Sequence, residues 1–172
     1  MAFRLLMPET RPDHARMSAL LHDYYVDIVA GLVALGGPDV PPAVPVQDFW
    51  DHVDDFLPPR GRICIGVAPD GRWLGCGTLS ALPGARGELK RLFVRPEARG
   101  TGLGRALVER RLDEARAMGL KTILVDTLRH TAAMQALYRS LGFREIDRYP
   151  ESSTANTFPE LRPHMLYFRM DL

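Results

Sequence analysis

The stretch Glu88-Leu-Lys-Arg-Leu-Phe-Val-Arg-Pro-Glu-Ala-Arg-Gly-Thr-Gly-Leu-Gly104 decides how this chain folds. Leu89, Leu92 and Val94 give it the apolar content of a β-strand, and Pro96 ends the strand because proline lacks a backbone donor. Three alternating glycines follow, and an apolar helical stripe begins directly after them. The stretch therefore predicts a strand, a glycine turn and the start of a helix.

The glycine turn has the character of a phosphate-binding site. A turn that feeds a helix leaves unpaired N–H groups and the positive end of the helix dipole at one spot, which attracts phosphate. Arg99 and Arg105 flank the glycines. A dinucleotide fingerprint is excluded because Leu107 stands where its last glycine should be, and a Walker loop is excluded because no Gly-Lys pair occurs here. A tight turn without a ligand is the remaining alternative.

Two motifs in this region match one known family. Arg99-Gly-Thr-Gly102-Leu-Gly104 resembles the R/Q-x-x-G-x-G/A signature of the GNAT superfamily of acyl-CoA-dependent N-acetyltransferases. Ala136-Leu-Tyr-Arg-Ser-Leu-Gly-Phe143 is similar to the family's L-Y-x-x-x-G-F segment, and the resemblance spans residues 88–143. It implies an α/β (mixed α+β) fold: a single twisted mixed sheet of about seven strands, with helices on both faces and a central parallel pair that splays apart.

Patterns along the rest of the chain supply the other elements. Strands are predicted at 3–7, 62–68, 73–82, 87–95, 121–128, 143–149 and 165–172, and helices at 11–35, 46–57, 102–118 and 131–141. Residues 36–45, with four prolines and two glycines, and residues 150–163 are predicted to be irregular loops. A right-handed crossover makes strands 87–95 and 121–128 parallel. We expect one domain over residues 1–172.

Charge and composition argue against several functional classes. The net charge of +1 gives no basis for binding nucleic acid or a membrane surface. Charges interrupt the apolar runs, so we expect a cytoplasmic protein without a membrane segment. Cys64 and Cys76 are too few for a disulfide framework and wrongly spaced for a metal site, so no metal is expected. If Asp70-Gly71 forms a hairpin turn, Cys64 lies opposite Gly77 and the two thiols point to opposite faces.

The resemblance implies that acetyl-CoA is the cosubstrate. Its pyrophosphate is expected at the glycine loop and its pantetheine arm along the backbone of strand 87–95, where one N–H polarises the thioester carbonyl. Thr131 stands where many family members have an asparagine that contacts the pantetheine; it is expected to cap a helix and to reach less far. The implied cofactor-binding residues are Leu92, Phe93, Val94, Arg99, Gly100, Thr101, Gly102, Leu103, Gly104, Arg105 and Thr131.

Direct acyl transfer needs a base, because a primary amine of pKa roughly 10.4 is protonated at neutral pH. The resemblance implies that Glu88 is this base, often acting through water. A solvated carboxylate paired with Lys90 or Arg91 is an equal alternative, and most basic residues nearby, Arg111 among them, are expected to be solvated. Asp126 and His130 are fallback bases for which an ordinary polar role is favoured.

Tyr138 comes from the second motif, where the family's tyrosine approaches the thioester sulfur. Because a phenol of pKa about 10 is a weaker acid than a thiol, it stabilises the departing thiolate by hydrogen bonding more than it drives proton transfer. Leu137 and Leu141 form an i, i+4 pair, which predicts that Tyr138 lies at the edge of the core face. An ordinary core tyrosine with a satisfied hydroxyl is the alternative.

The acceptor site is implied to form from the first two helices and from late loops. Carboxylates and aromatic rings there suit a cationic amine, and they equally suit an amphipathic helix. The expected partner is a primary amine of a small molecule or peptide, and a homodimer is compatible with this interpretation. A catalytically silent acyl-CoA-binding sensor or regulatory module is the alternative function. The candidate substrate-binding residues are Tyr24, Tyr25, Trp50, Asp51 and Asp54.

Overall fold

The computed structural model of the chain describes residues 2–172. Short 3-10 turns lie at Val53–Phe56, Pro96–Ala98 and Pro159–His164. The strands and helices are, in chain order, β1 (Arg4–Leu6), α1 (His14–Ala34), α2 (Ala43–Asp51), β2 (Gly61–Val67), β3 (Trp73–Leu82), β4 (Arg86–Val94), α3 (Leu103–Ala117), β5 (Thr122–Leu128), α4 (Ala132–Ser140), β6 (Arg144–Ile146), α5 (Ser153–Thr157) and β7 (Met165–Asp171).

One mixed sheet contains all seven strands, in the order β1-β2-β3-β4-β5-β7-β6. The pair β4–β5 is parallel and every other pair is antiparallel. Helices α3 and α4 pack on one face, which we call the α3 face, and α1 and α2 pack on the other, the α1 face. The predicted mixed sheet with helices on both faces is confirmed.

The parallel pair splays apart. Its ladder runs from Arg86↔Thr122 to Leu89↔Val125 and then stops, although β4 continues to Val94 and β5 runs to Leu128. The edge of β4 that faces β5 therefore has no ladder partner beyond Leu89. This gap is the central feature of the fold, because the carboxyl ends of parallel strands are where α/β sheets bind ligands.

The β2–β3 hairpin follows the predicted register. Cys64 lies opposite Gly77, and Cys64 and Cys76 belong to the cores on opposite faces of the sheet. Burial raises the pKa of Cys64 to about 11 and the pKa of Cys76 to about 12. Both thiols are inert core groups under neutral conditions.

Two loop predictions are wrong. Helix α2 begins at Ala43, inside the predicted loop 36–45, because Pro45 falls in its first turn, where a missing N–H costs nothing. Residues 150–163 contain α5, which begins because the Ser152 hydroxyl accepts a hydrogen bond from the N–H of Ala155. Strand β6 is shorter than predicted.

Helix α1 is long and apolar enough, by length and composition alone, to cross a membrane. Asp23 and Asp27 interrupt its apolar run, in line with the expectation from the sequence. Met17, Leu20, Leu21 and Leu32 are buried against the rest of the domain, so one side of this helix packs into the core.

Candidate active site

A β-bulge in β4 shapes the site. Thr78 pairs with Lys90 and Cys76 pairs with Phe93, so three steps along β4 match two steps along β3. Arg91 is the extra residue, and its φ of 54° is a left-handed conformation that non-glycine residues rarely adopt. The bulge interrupts the alternation of the strand, so Lys90 and Arg91 both project from the α1 face.

Arg111 of α3 supports the bulge from the opposite face. Its fully buried guanidinium donates from Nη1 to the carbonyls of Thr78 (2.9 Å) and Lys90 (3.2 Å), and from Nε to the carbonyl of Leu107 (2.9 Å). Gly77 makes room, since a Cβ there would lie 2.4 Å from the Arg111 Cζ. Burial lowers the pKa of Arg111. The expectation that Arg111 is solvated is wrong, because the bulged carbonyls hold it inside.

A cavity of about 460 Å³ opens where β4 and β5 part. Its walls come from α1, α2, β3, β4, β5, α4 and the segment around α5. Glu88 and Tyr138 both line it, together with Lys90, Arg91 and Asp126. The structure thus brings the two predicted catalytic residues to one cavity, from opposite faces of the sheet.

Glu88 is buried and hydrogen-bonded. Oε1 accepts from the Tyr149 hydroxyl (2.6 Å) and from the Ser153 N–H (3.4 Å), and Oε2 accepts from the Ser153 hydroxyl (3.0 Å). Only 2% of the residue is exposed. Burial, together with Asp126 and Glu88 itself, raises the pKa of Tyr149 well above its ordinary value, so this hydroxyl stays a donor. The alternative of a solvated carboxylate at Glu88 is wrong.

Lys90 lies between two buried carboxylates. Its Nζ is 3.0 Å from Asp126 Oδ2 and 3.8 Å from Glu88 Oε1, and it also contacts the Thr154 hydroxyl. Asp126 accepts a further hydrogen bond from Ser152 (2.7 Å). Burial lowers the pKa of Lys90, but Asp126 and Glu88 raise it more, so the net shift is upward and the ammonium remains charged. The expectation of a solvated Lys90 is wrong.

Several residues that contact Glu88, Lys90 and Asp126 were not identified from the sequence. Tyr149, Ser152, Ser153 and Thr154 come from the segment that was predicted to be an irregular loop. The available signal was the run of three consecutive hydroxyl residues at 152–154. Hydroxyls are the donors that a buried carboxylate needs, because an ionised carboxylate only accepts hydrogen bonds.

Tyr138 is a core residue with a free hydroxyl. Its ring packs against Phe143 and Phe168, and 1% of the residue is exposed. Leu137 and Leu141 are only partly buried, so the prediction that Tyr138 lies at the edge of the core is wrong. Burial raises the pKa of Tyr138 to about 12. Among residues 2–172, none hydrogen-bonds its hydroxyl.

The two fallback bases, Asp126 and His130, lie in different parts of the structure. Asp126 is in the cavity and is ion-paired to Lys90. His130 lies outside the cavity lining, where its ring packs against Gly31 so closely that a Cβ there would be 2.3 Å away. Burial lowers the pKa of His130. His130 is therefore not among the residues that line this cavity.

The glycine loop leaves open space in front of α3. Gly100 and Gly102 have φ values of 75° and 87°, and a Cβ on either would meet nothing within 4 Å. Gly102 is the N-cap of α3 and no side chain caps the first turn, while Thr101 donates to the Ala98 carbonyl (2.7 Å). The Leu103 side chain is buried in the core, so only its backbone faces the loop. An anion fits here.

The two arginines beside the loop are exposed. Arg99 pairs with Asp27 (2.6 Å) and Arg105 with Glu109 (3.3 Å). Arg105 also donates to the Ser140 hydroxyl (2.8 Å). Exposed ion pairs of this kind are weak, so both side chains are free to turn towards a bound anion.

The predicted cofactor strand has the required open backbone. Leu92 and Val94 pack on the α3 face and Phe93 on the α1 face. Thr131 occupies the N-cap position of α4 but does not cap it: its hydroxyl donates to the Leu128 carbonyl (2.7 Å) and bonds to a neighbouring threonine. The prediction that Thr131 caps the helix is wrong.

Only two of the predicted acceptor residues line the cavity, namely Tyr24 and Tyr25. Helix α2 turns Phe49 into the core, whereas Trp50 is only partly buried and Asp51 and Asp54 are exposed. The other three predictions therefore need correction, since the structure places these side chains elsewhere: Trp50 donates to Ser18 (2.9 Å), Asp51 accepts from Gln47 (2.8 Å) and Asp54 pairs with Arg11 (2.7 Å). Asp48 lines the cavity instead.

The sequence is similar to those of known acetyltransferases. An IAA acetyltransferase of Azospirillum brasilense is 47% identical over 114 residues, which cover 58% of this chain and 74% of that protein. An amino-acid acetyltransferase of Mycobacterium tuberculosis is 31% identical over 138 residues, covering 79% of this chain and 67% of that protein.

The same fold occurs in solved structures. The PaiA N-acetyltransferase of Thermoplasma acidophilum, solved in complex with coenzyme A, has a TM-score of 0.72 at 12% identity, over 98% of this chain and 99% of that one. Residues 29–143 match the model of the acetyltransferase (GNAT) family. The chain belongs to this family.

Proposed function

We propose that the protein transfers the acetyl group of acetyl-CoA directly to a primary amine of a small molecule or peptide, in a ternary complex. The observation that carries the proposal is the convergence of Glu88 and Tyr138 on one cavity in the gap between β4 and β5. Direct transfer needs a base for the incoming amine and a donor for the departing thiolate. These residues are placed to supply one each.

The residues around the glycine loop suit acetyl-CoA as the cosubstrate. The backbone N–H groups at the start of α3 would hold its pyrophosphate, beside Gly102, with Arg99 and Arg105 near enough to add charge. The unpaired edge of β4 at residues 92–94 would hold its pantetheine arm by backbone hydrogen bonds. The coenzyme A bound to the Thermoplasma neighbour supports this part of the proposal.

Glu88 is better suited than Asp126 to accept the proton of the amine. Both oxygens of Asp126 contact the Lys90 ammonium (3.0 and 3.2 Å), which holds that carboxylate in an ion pair. Glu88 is 3.8 Å from the same ammonium and is bound mainly by neutral hydroxyl donors. Lys90, being charged, is not itself a base; it keeps two neighbouring carboxylates compatible with burial.

Tyr138 acts on the departing thiolate rather than on the amine. With its pKa raised to about 12, its hydroxyl is protonated throughout the working pH range. Such a phenol donates a hydrogen bond to a thiolate without losing its proton, since a thiol is the stronger acid. Burial in a low-dielectric wall strengthens that hydrogen bond.

The proposal is tested by thiol release from acetyl-CoA in the presence of a mixed panel of amines and of denatured proteins, with the products identified by mass spectrometry. We expect thiol release that depends on an amine and a product heavier by one acetyl group. Binding of acetyl-CoA without release on any amine would instead support a silent acyl-CoA-binding module and refute the enzyme.

A further inference from the structure

We propose that Arg91 binds a carboxylate of the acceptor, so that the preferred acceptors are amino acids rather than simple amines. This inference rests on the proposed acetyl transfer and names its substrate class. Three features support it: the unpaired donor of the Arg91 guanidinium, the presence of Arg91 and Glu88 in one cavity, and the pairing of the other charges in that cavity.

The Arg91 guanidinium is buried with donors to spare. Only 6% of its side chain is exposed, and the rings of Phe49 and Phe56 lie 5.4 and 4.7 Å from Cζ. Nε donates to the Tyr25 hydroxyl and Nη2 to Asp48, both at 3.2 Å, while Nη1 has no partner among residues 2–172. A buried unpaired donor on a charged group is costly, and a ligand carboxylate relieves that cost.

Asp48 does not satisfy all the hydrogen-bond donors of this guanidinium. It makes one long contact with Arg91, is 28% exposed, and is also 3.4 Å from His52. A planar guanidinium binds carboxylates through parallel donors, so it can hold a ligand carboxylate beside Asp48. Burial lowers the pKa of Arg91, but Tyr25 and Asp48 raise it more, so the net shift is upward and the cation persists.

The bulge places the proposed carboxylate site in the same cavity as the candidate base. Because Arg91 is the inserted residue, it projects from the same face as Glu88 and Lys90, and all three line the cavity. Glu88 and Arg91 are three residues apart, which is roughly 10 Å of strand, and both long side chains lead into the same space. The amino and carboxylate groups of an amino acid share one carbon, so one molecule can meet both.

The rest of the cavity does not favour a simple cation. Its other carboxylates are already paired: Asp55 with Arg60, Glu151 with Arg86 and Asp126 with Lys90. The opposite wall is apolar and suits an aliphatic or aromatic side chain on the acceptor; it consists of Ile28, Val29, Leu32, Leu128, Phe158, Leu161 and Met165.

Matched acceptors that differ only in the carboxylate test the inference. Leucine and 3-methylbutylamine form one pair, and phenylalanine and phenethylamine form another. For the wild-type protein we expect kcat/KM to favour the amino acid of each pair by about tenfold or more. Arg91→Met should abolish the preference through a higher KM for the amino acid, and Arg91→Lys should retain part of it. Arg11→Met removes an exposed arginine on the same side of the molecule and should preserve it.

A binding measurement separates this inference from the proposed function. Calorimetry with 4-methylpentanoate, which lacks an amine, should show binding to the wild type that weakens at least about tenfold in Arg91→Met. If no amine is acetylated but this Arg91-dependent binding persists, the carboxylate site stands and the acetyl transfer fails. If the amines react as well as their amino acids, or if a folded Arg91→Met keeps the preference, the inference is refuted. If Arg91→Met does not fold, the inference is tested by the matched acceptors with the wild-type protein and by the preference that Arg91→Lys shows between them.

Discussion

Tyr149 donates a 2.6 Å hydrogen bond to Glu88, joining two buried residues that are 61 positions apart in the sequence. Glu88 belongs to strand β4, which leads into the glycine loop, whereas Tyr149 lies just before α5. The environment of the candidate base is therefore completed by the late part of the chain. Substitutions in that part should alter the pH dependence of the reaction and not only the stability of the fold.

Tyr149→Phe removes this donor and leaves the ring in place. We expect kcat/KM to fall by about tenfold and the acidic limb of the pH–rate profile to move to higher pH, because a carboxylate that loses a donor is harder to ionise. Tyr167→Phe is the matched control, since among residues 2–172 that hydroxyl hydrogen-bonds only to the sulfur of Met165. An unchanged acidic limb in Tyr149→Phe would contradict the prediction.

Glu88→Gln keeps the shape of the side chain and removes its charge. If Glu88 is the base, kcat should fall by about 10²-fold or more and the acidic limb should disappear. Glu97→Gln, at an exposed glutamate, should have no such effect. Wild-type turnover of Glu88→Gln between about pH 6 and 9 would place the base elsewhere, and Asp126 would be tested next.

Tyr138→Phe should lower kcat by about 10- to 100-fold and leave the affinity for acetyl-CoA nearly unchanged, because the hydroxyl acts only on the leaving thiolate. Since the pKa of Tyr138 is raised to about 12, its ionisation should not appear as a basic limb below that pH. Steady-state kinetics and calorimetry on the same preparation measure the two effects. A parallel loss of affinity would instead indicate that the hydroxyl helps to hold the cosubstrate.

Gly102 precedes α3 and Gly119 follows it, and this pair allows a matched test of the glycine loop. Gly102 and Gly119 have φ values of 87° and 76°, and a Cβ at either would enter open space. Valine at either position should cost about 1–3 kcal/mol of stability through backbone strain. Only Gly102→Val should weaken acetyl-CoA binding, by at least about tenfold, because only that space faces the first turn of the helix. Equal affinities of the two variants in calorimetry would refute the phosphate site.

The buried thiols predict how stability changes in alkali. Cys64 and Cys76 have pKa values of about 11 and about 12 in the fold, against about 8.5 in an unfolded chain. Their stabilising effect is complete below the unfolded value and is lost as pH rises through the folded ones. Denaturant titrations should show the free energy of unfolding falling above about pH 9, by up to ~1.4 kcal/mol per pH unit and thiol. The slope should be shallower in the Cys64→Ala, Cys76→Ala variant.

Much of the fold was predictable because its signals are local. Alternation of apolar residues predicts the strands, the Asp70-Gly71 turn fixes the register of Cys64 with Gly77, and the glycines at 100 and 102 mark the start of α3. These features depend on neighbours within a few residues, so a single chain reveals them. The family resemblance then points to Glu88, in the strand before the glycine loop, and to Tyr138, in the second motif, and both residues line one cavity.

The burial of Lys90 and Arg111 was not predictable, because the residues that stabilise them are distant in the sequence. Lys90 is buried only because Asp126, 36 residues later, pairs with it, and Arg111 only because a bulge exposes carbonyls to it. Read alone, each is a charged residue that belongs in water. The position of Trp50 was missed for a different reason: the start of α2 inside a proline-rich segment sets which residues face inwards.

The bulge in β4 also separates acceptor binding, proposed for Arg91, from cosubstrate binding, proposed for residues 92–94. Evolution or engineering could therefore alter one without the other. Because Arg91 is an extra residue, Leu92, Phe93 and Val94 lie on the faces that a regular strand running directly from Lys90 to Leu92 would give them. Deleting Arg91 alone would make the strand regular and leave those three residues where they are. If Arg91 binds the acceptor as proposed, a single-codon deletion should change which acceptors are accepted while sparing the backbone proposed to hold the cosubstrate.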